Sequence, residues 1–268
     1  MDTPQLKQPK YFMDDPREAG RLDAKVNTDE FISDFISLHW SADDTLGVVD
    51  IGCGAGAIAS AIAKKFPGWN ITGVDLSEDR LSKAKEKCAS LDNTRFTQGS
   101  IYQLPLADIS ADLLYTRFLL EYLERPIDGI KEMYRVCKPG GTVMLQDLDG
   151  QLLFHYPQTI ENLDKVLDGL AKTGFDPLIG RKLPNYGIQA GFELQHMDIR
   201  PYHFIVGQID EKNDRLWELK MEIALPKFQE ILGSEQLAVK FKDDFMRHLR
   251  DPDTMMYSNL CTVYLKKP

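Results

Sequence analysis

Two acids and three glycines are the part of this sequence best arranged for chemistry. Asp50 lies near the end of an apolar run, Val48-Val49-Asp50-Ile51, and Gly52-Cys53-Gly54-Ala55-Gly56 follows at once. Glycines after a strand let the backbone turn tightly and approach a ligand, and the helix start behind them offers unpaired N–H groups. Asp75 closes the next apolar run, 70–76. An acid in that place can accept hydrogen bonds from two ribose hydroxyls. Together these features describe a βαβ unit that binds a nucleoside. Gly52, Gly54 and Ala57 also satisfy a dinucleotide signature. Asp50 points elsewhere, because a carboxylate two residues before the first glycine suits a cationic amino group and not a pyrophosphate.

Other side chains suit proton transfer or charge recognition. Arg117 ends an apolar run and can bind an anion. Tyr122, Asp147, Asp149 and His155 stand near the ends of later elements, and Tyr122, Asp147 and His155 are the candidate catalytic groups. The four cysteines, at 53, 88, 137 and 261, form no Cys-x-x-Cys pair and have no histidine at ligand spacing, so no metal site is expected. No Ser-His-Asp set is visible.

The elements that must hold these residues alternate. Apolar runs at 46–51, 70–76, 94–98, 111–117 and 142–147 read as strands. Stretches 57–66, 78–91 and one beginning at Pro126 read as helices, with Ser77 as an N-cap and Pro126 in a first turn. This rhythm predicts an α/β fold, a mostly parallel sheet with helices on both faces. Residues 44–150 form the expected core, 1–43 an N-terminal helical cover, and 151–268 the remaining strands with helical insertions over the ligand end. In that last part, 157–173 and 181–191 read as helical and 192–206 as strand-like. A long helical region, 214–249, is broken at Pro226 and Gly233, and 260–266 is a closing strand. Net charge is −9 over 268 residues, which disfavours a nucleic-acid partner. The N-terminus is polar and no run approaches 18 apolar residues, so neither a secretory signal nor a membrane span is expected, and the default address is the cytoplasm.

With these residues on the page a family resemblance is plain. Asp50–Gly56 resembles the first motif of the class I S-adenosylmethionine-dependent methyltransferases, and Gly73-Val74-Asp75-Leu76-Ser77 their second. Gly99-Ser100-Ile101-Tyr102-Gln103-Leu104-Pro105 resembles the third, and Arg135-Val136-Cys137-Lys138-Pro139-Gly140-Gly141 the turn before strand five. The resemblance implies a Rossmann-like sheet of seven strands with the last antiparallel, and helical lid insertions. It implies S-adenosylmethionine as methyl donor. Gly52, Cys53, Gly54 and Gly56 would form the loop beside its methionine part, and Asp50 would hold its amino group. Asp75 would bind the ribose, and Leu76 and Ile101 would flank the adenine. Ser100 stands where the family usually has an acid. Tyr11 and Arg21 belong to a segment that folds over the donor in similar enzymes, and Arg117 is a candidate for the donor carboxylate or an anionic acceptor. The acceptor implied is a small, partly apolar metabolite methylated on N or O by a monomer or homodimer, without metal, membrane or nucleic acid. Trp217, Met221, Met255, Met256 and Tyr257 are candidates for an apolar acceptor surface. The alternatives are a donor-binding protein without turnover, an NAD-dependent oxidoreductase and a protein-methylating enzyme.

Overall fold

The computed structural model describes residues 11–37, 39–41, 43–157 and 160–268. Residues 1–10 of the expected cover, with the polar N-terminus, lie outside the described residues. Seven strands form one sheet: β1 Gly47–Ile51, β2 Asn70–Asp75, β3 Thr94–Gln98, β4 Ala111–Arg117, β5 Cys137–Tyr156, β6 Glu193–Val206 and β7 Met255–Lys266. Their spatial order is β3-β2-β1-β4-β5-β7-β6. β3 through β5 run parallel, and β7 enters antiparallel between β5 and β6. The chain leaves β1 to one side for β2 and later returns to its other side with β4. That reversal opens a crevice at the carboxyl ends of β1 and β4, where open α/β sheets bind ligands.

Helices cover both faces. Ala57–Lys65 (α3), Glu78–Lys87 (α4) and Pro126–Val136 (α5) follow β1, β2 and β4, after Glu18–Lys25 (α1) and the single turn Thr28–Phe31 (α2). The Ser77 hydroxyl accepts from the Arg80 N–H at 3.4 Å, and Glu78 and Asp79 occupy the first turn of α4, as expected of an N-cap. Two apolar clusters pack the sheet faces, one around Leu114, Val143 and Val263, the other around Trp69, Leu113 and Tyr115.

A third apolar core stands apart, built by Leu163–Ala171 (α6), Glu211–Leu232 (α8) and Glu235–Arg250 (α9), with Met13, Ile205 and Met256. Here the structure revises the expected elements. α8 runs unbroken through Pro226 and ends at Gly233, whose φ of +72° closes the helix. Proline removes one hydrogen bond, but the buried face of Trp217, Met221, Ala224 and Phe228 continues on both sides and holds the helix together. Within the expected N-terminal helical cover, α1 stops at Lys25, and Asn27 caps a new turn by accepting from the Glu30 N–H at 3.2 Å. β5 runs past residue 150 with a register shift between Asp149 and Phe154, where Gly150 takes φ +78°. Leu183–Gln189 (α7) packs near β6 and α5.

Candidate active site

A cavity of about 510 Å³ opens at the carboxyl ends of β1, β2 and β4 and is roofed by α1 and α8. One end is made of backbone. Gly52, Gly54 and Gly56 have φ of +76°, +53° and +75°, values that a side chain disfavours. The turn consumes four of its own donors. Gly52 and Cys53 N–H donate to the Val74 carbonyl at 2.7 and 3.1 Å, Gly56 N–H to Cys53, and Gly54 N–H to Asp75 Oδ2 at 2.9 Å. A pyrophosphate cradle needs such N–H groups pointing outward, so this turn suits a ligand without one. Gly56 does not line the cavity. A Cβ there would sit 2.9 Å from Ala84 Cβ, so this glycine brings α3 against α4 and holds no ligand itself.

Asp75 is 7% exposed, and its second oxygen accepts from the Ser77 N–H at 2.9 Å. Two backbone donors thus aim the carboxylate, and each oxygen retains a lone pair for a hydroxyl. Asp50 is 5% exposed and lines the cavity. Burial pushes its pKa up to about 7, and the Asp75 charge adds to the rise. The Tyr115 hydroxyl lies buried beside it without a well-formed hydrogen bond. Among the described residues no cation lies within ion-pair distance of Asp50, so it is a buried acid aimed at the cavity with its charge unmatched. Leu76, Ser100 and Ile101 line the same end. Ser100 Oγ accepts from the Tyr102 N–H at 3.2 Å, and Ile101 packs on Gly129 of α5. Cys53 lines the cavity, and burial drives its thiol pKa upward, which marks a small turn residue and not a nucleophile.

The other end is made of long side chains. Arg21 and Glu18 form a buried bidentate pair at 2.7 and 2.8 Å, and the Tyr11 hydroxyl donates to Glu18 at 3.0 Å. Arg80 lies over the Tyr11 ring at 4.9 Å, and Tyr122 meets that ring edge-on at 4.9 Å. Tyr11 and Arg21 both line the cavity. Arg117 donates from Nε to Gln146 Oε1 at 2.7 Å, Gln146 is itself anchored on Thr262, and the guanidinium lies 4.0 Å over the Phe118 ring. Phe118 adopts φ +53° between Arg117 and Tyr202, the kind of backbone strain that gathers at binding sites.

The three candidate proton-transfer residues fare differently. Tyr122 lines the cavity, but burial and the neighbouring Glu121 hold its hydroxyl protonated. Asp147 is fully buried under the cavity and does not line it. Its oxygens accept from the Glu121 and Leu148 N–H groups at 3.1 and 2.9 Å, so it fixes the short 3-10 turn Leu120–Tyr122. His155 lies on the β5–β7 ribbon opposite Met256, its ring 5.4 Å from His248, and away from the cavity lining. The extension of β5 carries it there. Asp149 is bound by both nitrogens of an Arg181 fork at 2.8–3.1 Å. Trp217, Met221 and Met256 belong to the helical core, and none of the five apolar candidates lines the cavity.

Sequence reasoning did not single out Lys25, Glu121, Gln151 and Lys220 for roles here, yet all line the cavity. Burial raises Glu121 to about 7 and lowers Lys220 to about 7. The Gln151 amide bridges them in the orientation that satisfies both, its nitrogen donating to Glu121 at 2.9 Å and its oxygen accepting from Lys220 at 2.8 Å. Only the proximity of residues 25, 121, 151 and 220 in three dimensions reveals this set. No local spacing signals it.

Comparison with known proteins bears on the first end of the cavity. A family model described as a methyltransferase domain matches residues 49–145, from β1 into β5. Residues 49–145 are a methyltransferase domain. An uncharacterized methyltransferase of Schizosaccharomyces pombe is 32% identical over 161 residues, covering 56% of this chain and 58% of that protein. A malonyl-[acyl-carrier protein] O-methyltransferase of Marinomonas is 37% identical over 102 residues, covering 38% and 37%. The chain thus spans about half, or less, of the length of these curated relatives. A solved phospholethanolamine N-methyltransferase 2 of Haemonchus contortus, in complex with phosphomonomethylethanolamine and S-adenosylhomocysteine, superposes with a TM-score of 0.61. It is 15% identical, with 96% of this chain and 60% of that one covered, and so shares the fold. The methyltransferase domain contains Asp50, the glycine turn, Asp75, Ser100, Ile101, Arg117 and Tyr122. Lys25, Gln151 and Lys220 come from outside the matched segment. Among the described residues no helix is long and apolar enough to cross a membrane.

Proposed function

We propose that the chain transfers a methyl group from S-adenosylmethionine to an N or O atom of a small, partly apolar acceptor. The observation that carries this is Asp50, a buried carboxyl facing the cavity beside a turn in which the Gly52, Cys53, Gly54 and Gly56 N–H groups already bond within the protein. It fits a ligand with an ammonium group and no pyrophosphate there. Asp50 would hold that ammonium, Asp75 the ribose hydroxyls, and Leu76 and Ile101 the adenine faces. When bound, S-adenosylmethionine supplies a sulfonium-activated methyl group.

The chain's own contribution is position. Tyr11 and Tyr122 wall one side of the cavity. Where the acceptor must lose a proton, Glu121 is the group suited to take it. It lines the cavity with a pKa of about 7, whereas Tyr122 stays protonated and Asp147 is enclosed. The acceptor class is supported by the size of the cavity, about 510 Å³, and by the net charge of −9, which disfavours a nucleic acid.

Thermal shift of the purified chain with S-adenosylmethionine, S-adenosylhomocysteine and NADH tests the proposal. At about 100 times Kd either sulfur ligand should raise Tm by about 5–10 °C, and NADH should not. A rise with NADH alone would install the oxidoreductase alternative. A rise with the sulfur ligands but no labelled product from a broad acceptor screen would favour a donor-binding protein without turnover.

A further inference from the structure

Resting on the donor-site reading above, we infer that the α1–α8 end of the cavity is an anion-binding acceptor subsite, in which Lys25 and Lys220 take a carboxylate or phosphate of the substrate. Five cationic side chains, Arg21, Lys25, Arg80, Arg117 and Lys220, line this end of the cavity in a protein whose net charge is −9. Arg21 is neutralised by its two bonds to Glu18. Among the described residues neither lysine, nor Arg117, has a carboxylate within 4.0 Å. Of the other acids in the lining, Asp14 pairs with Arg80 and Asp23 with Lys87, and Glu121 reaches Lys220 through Gln151. The cavity end therefore keeps a surplus of positive charge.

The lysines are also held in place. Lys25 Nζ lies 4.9 Å from the Tyr202 ring centre and 5.2 Å from that of Phe118. Lys220 Nζ lies 4.6 Å from the Trp217 ring centre. An aromatic face supports an ammonium from one side and leaves its other N–H bonds for a ligand. Burial first, and the like charges of Arg21 and its neighbours second, lower both lysines to about 7. A bound anion would reverse the second cause.

The donor's own carboxylate does not account for these groups. It is attached to the same carbon as the ammonium that Asp50 would hold, so it must lie near Asp50. Arg117 is the cation whose charge reaches Asp50. Arg117 thus serves the junction of the two ligands, and the lysines face the acceptor.

The test uses the full chain saturated with S-adenosylhomocysteine and four probes at equal ionic strength: inorganic phosphate, benzoate, benzamide and chloride. Phosphate or benzoate at about ten times its Kd should raise Tm by about 3 °C, with benzamide and chloride silent. The larger of the two anion responses identifies the acceptor's charged group. In the double variant K25M/K220M the anion response should weaken at least tenfold while the response to S-adenosylhomocysteine persists, which also shows that the variant folds. K25R/K220R should restore the anion response. An equal response to benzamide, an anion response that survives in K25M/K220M, or no anion response in the wild type would overturn the inference. Loss of the S-adenosylhomocysteine response in the wild type, with the anion response intact, would instead sink the donor reading and leave an anion pocket.

Discussion

At the β1–β3 end the cavity wall is backbone plus two carboxylates on strand ends. At the α1–α8 end it is the tips of long side chains from α1, β4, β5 and α8. The first end is rigid by construction: Gly52 and Gly54 sit at positive φ, and both oxygens of Asp75 are held by N–H groups. The second relies on how the helical core of Trp217, Met221, Phe241 and Phe245 sets α8 above the sheet. One end of the cavity can therefore stay fixed while the other changes, because the two ends are stabilised by different packing.

The contrast can be broken most directly at Asp75. Asp75→Ala should lower affinity for S-adenosylhomocysteine by about a hundredfold, about 2.7 kcal/mol, measured by calorimetry. Unchanged affinity would remove the donor end altogether. Next in size is Gly56→Ala. The added Cβ meets Ala84 at 2.9 Å on a backbone of φ +75°, so stability should fall by about 2 kcal/mol, a Tm loss of about 4–8 °C. A neutral outcome would mean that α3 and α4 can part freely, contrary to a rigid donor end.

A smaller effect comes from pH. Asp50 is held at about 7, so its charge is present above that pH and lost below it. Donor affinity should drop about tenfold between pH 8 and pH 6, and Asp50→Asn should bind weakly with a flat profile. A flat wild-type profile would detach Asp50 from the ammonium. The smallest change expected is in Tyr122→Phe. Its hydroxyl stays protonated against Glu121, so turnover should fall about threefold with the pH dependence kept. Glu121→Gln should abolish the limb near pH 7, and retention of that limb would move the proton acceptor elsewhere.

The strands from 47 to 117, the turn at 52–56 and the capped helix at Ser77 were legible because each depends on residues close in sequence. The same holds for Asp50, Asp75, Leu76 and Ile101, which sit at strand ends or just past them. Gly56 was legible as a glycine but not in its duty. Its contact with Ala84 exists only once two helices pack. His155 and Asp147 misled for a related reason. Spacing put them near the end of strand five, but β5 extends to Tyr156 against β7, which carries His155 away. Asp147 turns under the 3-10 segment to accept its N–H groups. Pro226 suggested a break that the buried face of α8 overrides.

The sequence by itself determined the alternating sheet, the glycine turn and the two acids that line the cavity, since period, turn chemistry and strand ends are local properties of the chain. Only the tertiary structure decided which charges meet above the sheet. Lys25, Glu121, Gln151 and Lys220 are joined across nearly 200 residues by burial, and burial is also what shifts the charges of Lys25, Glu121 and Lys220.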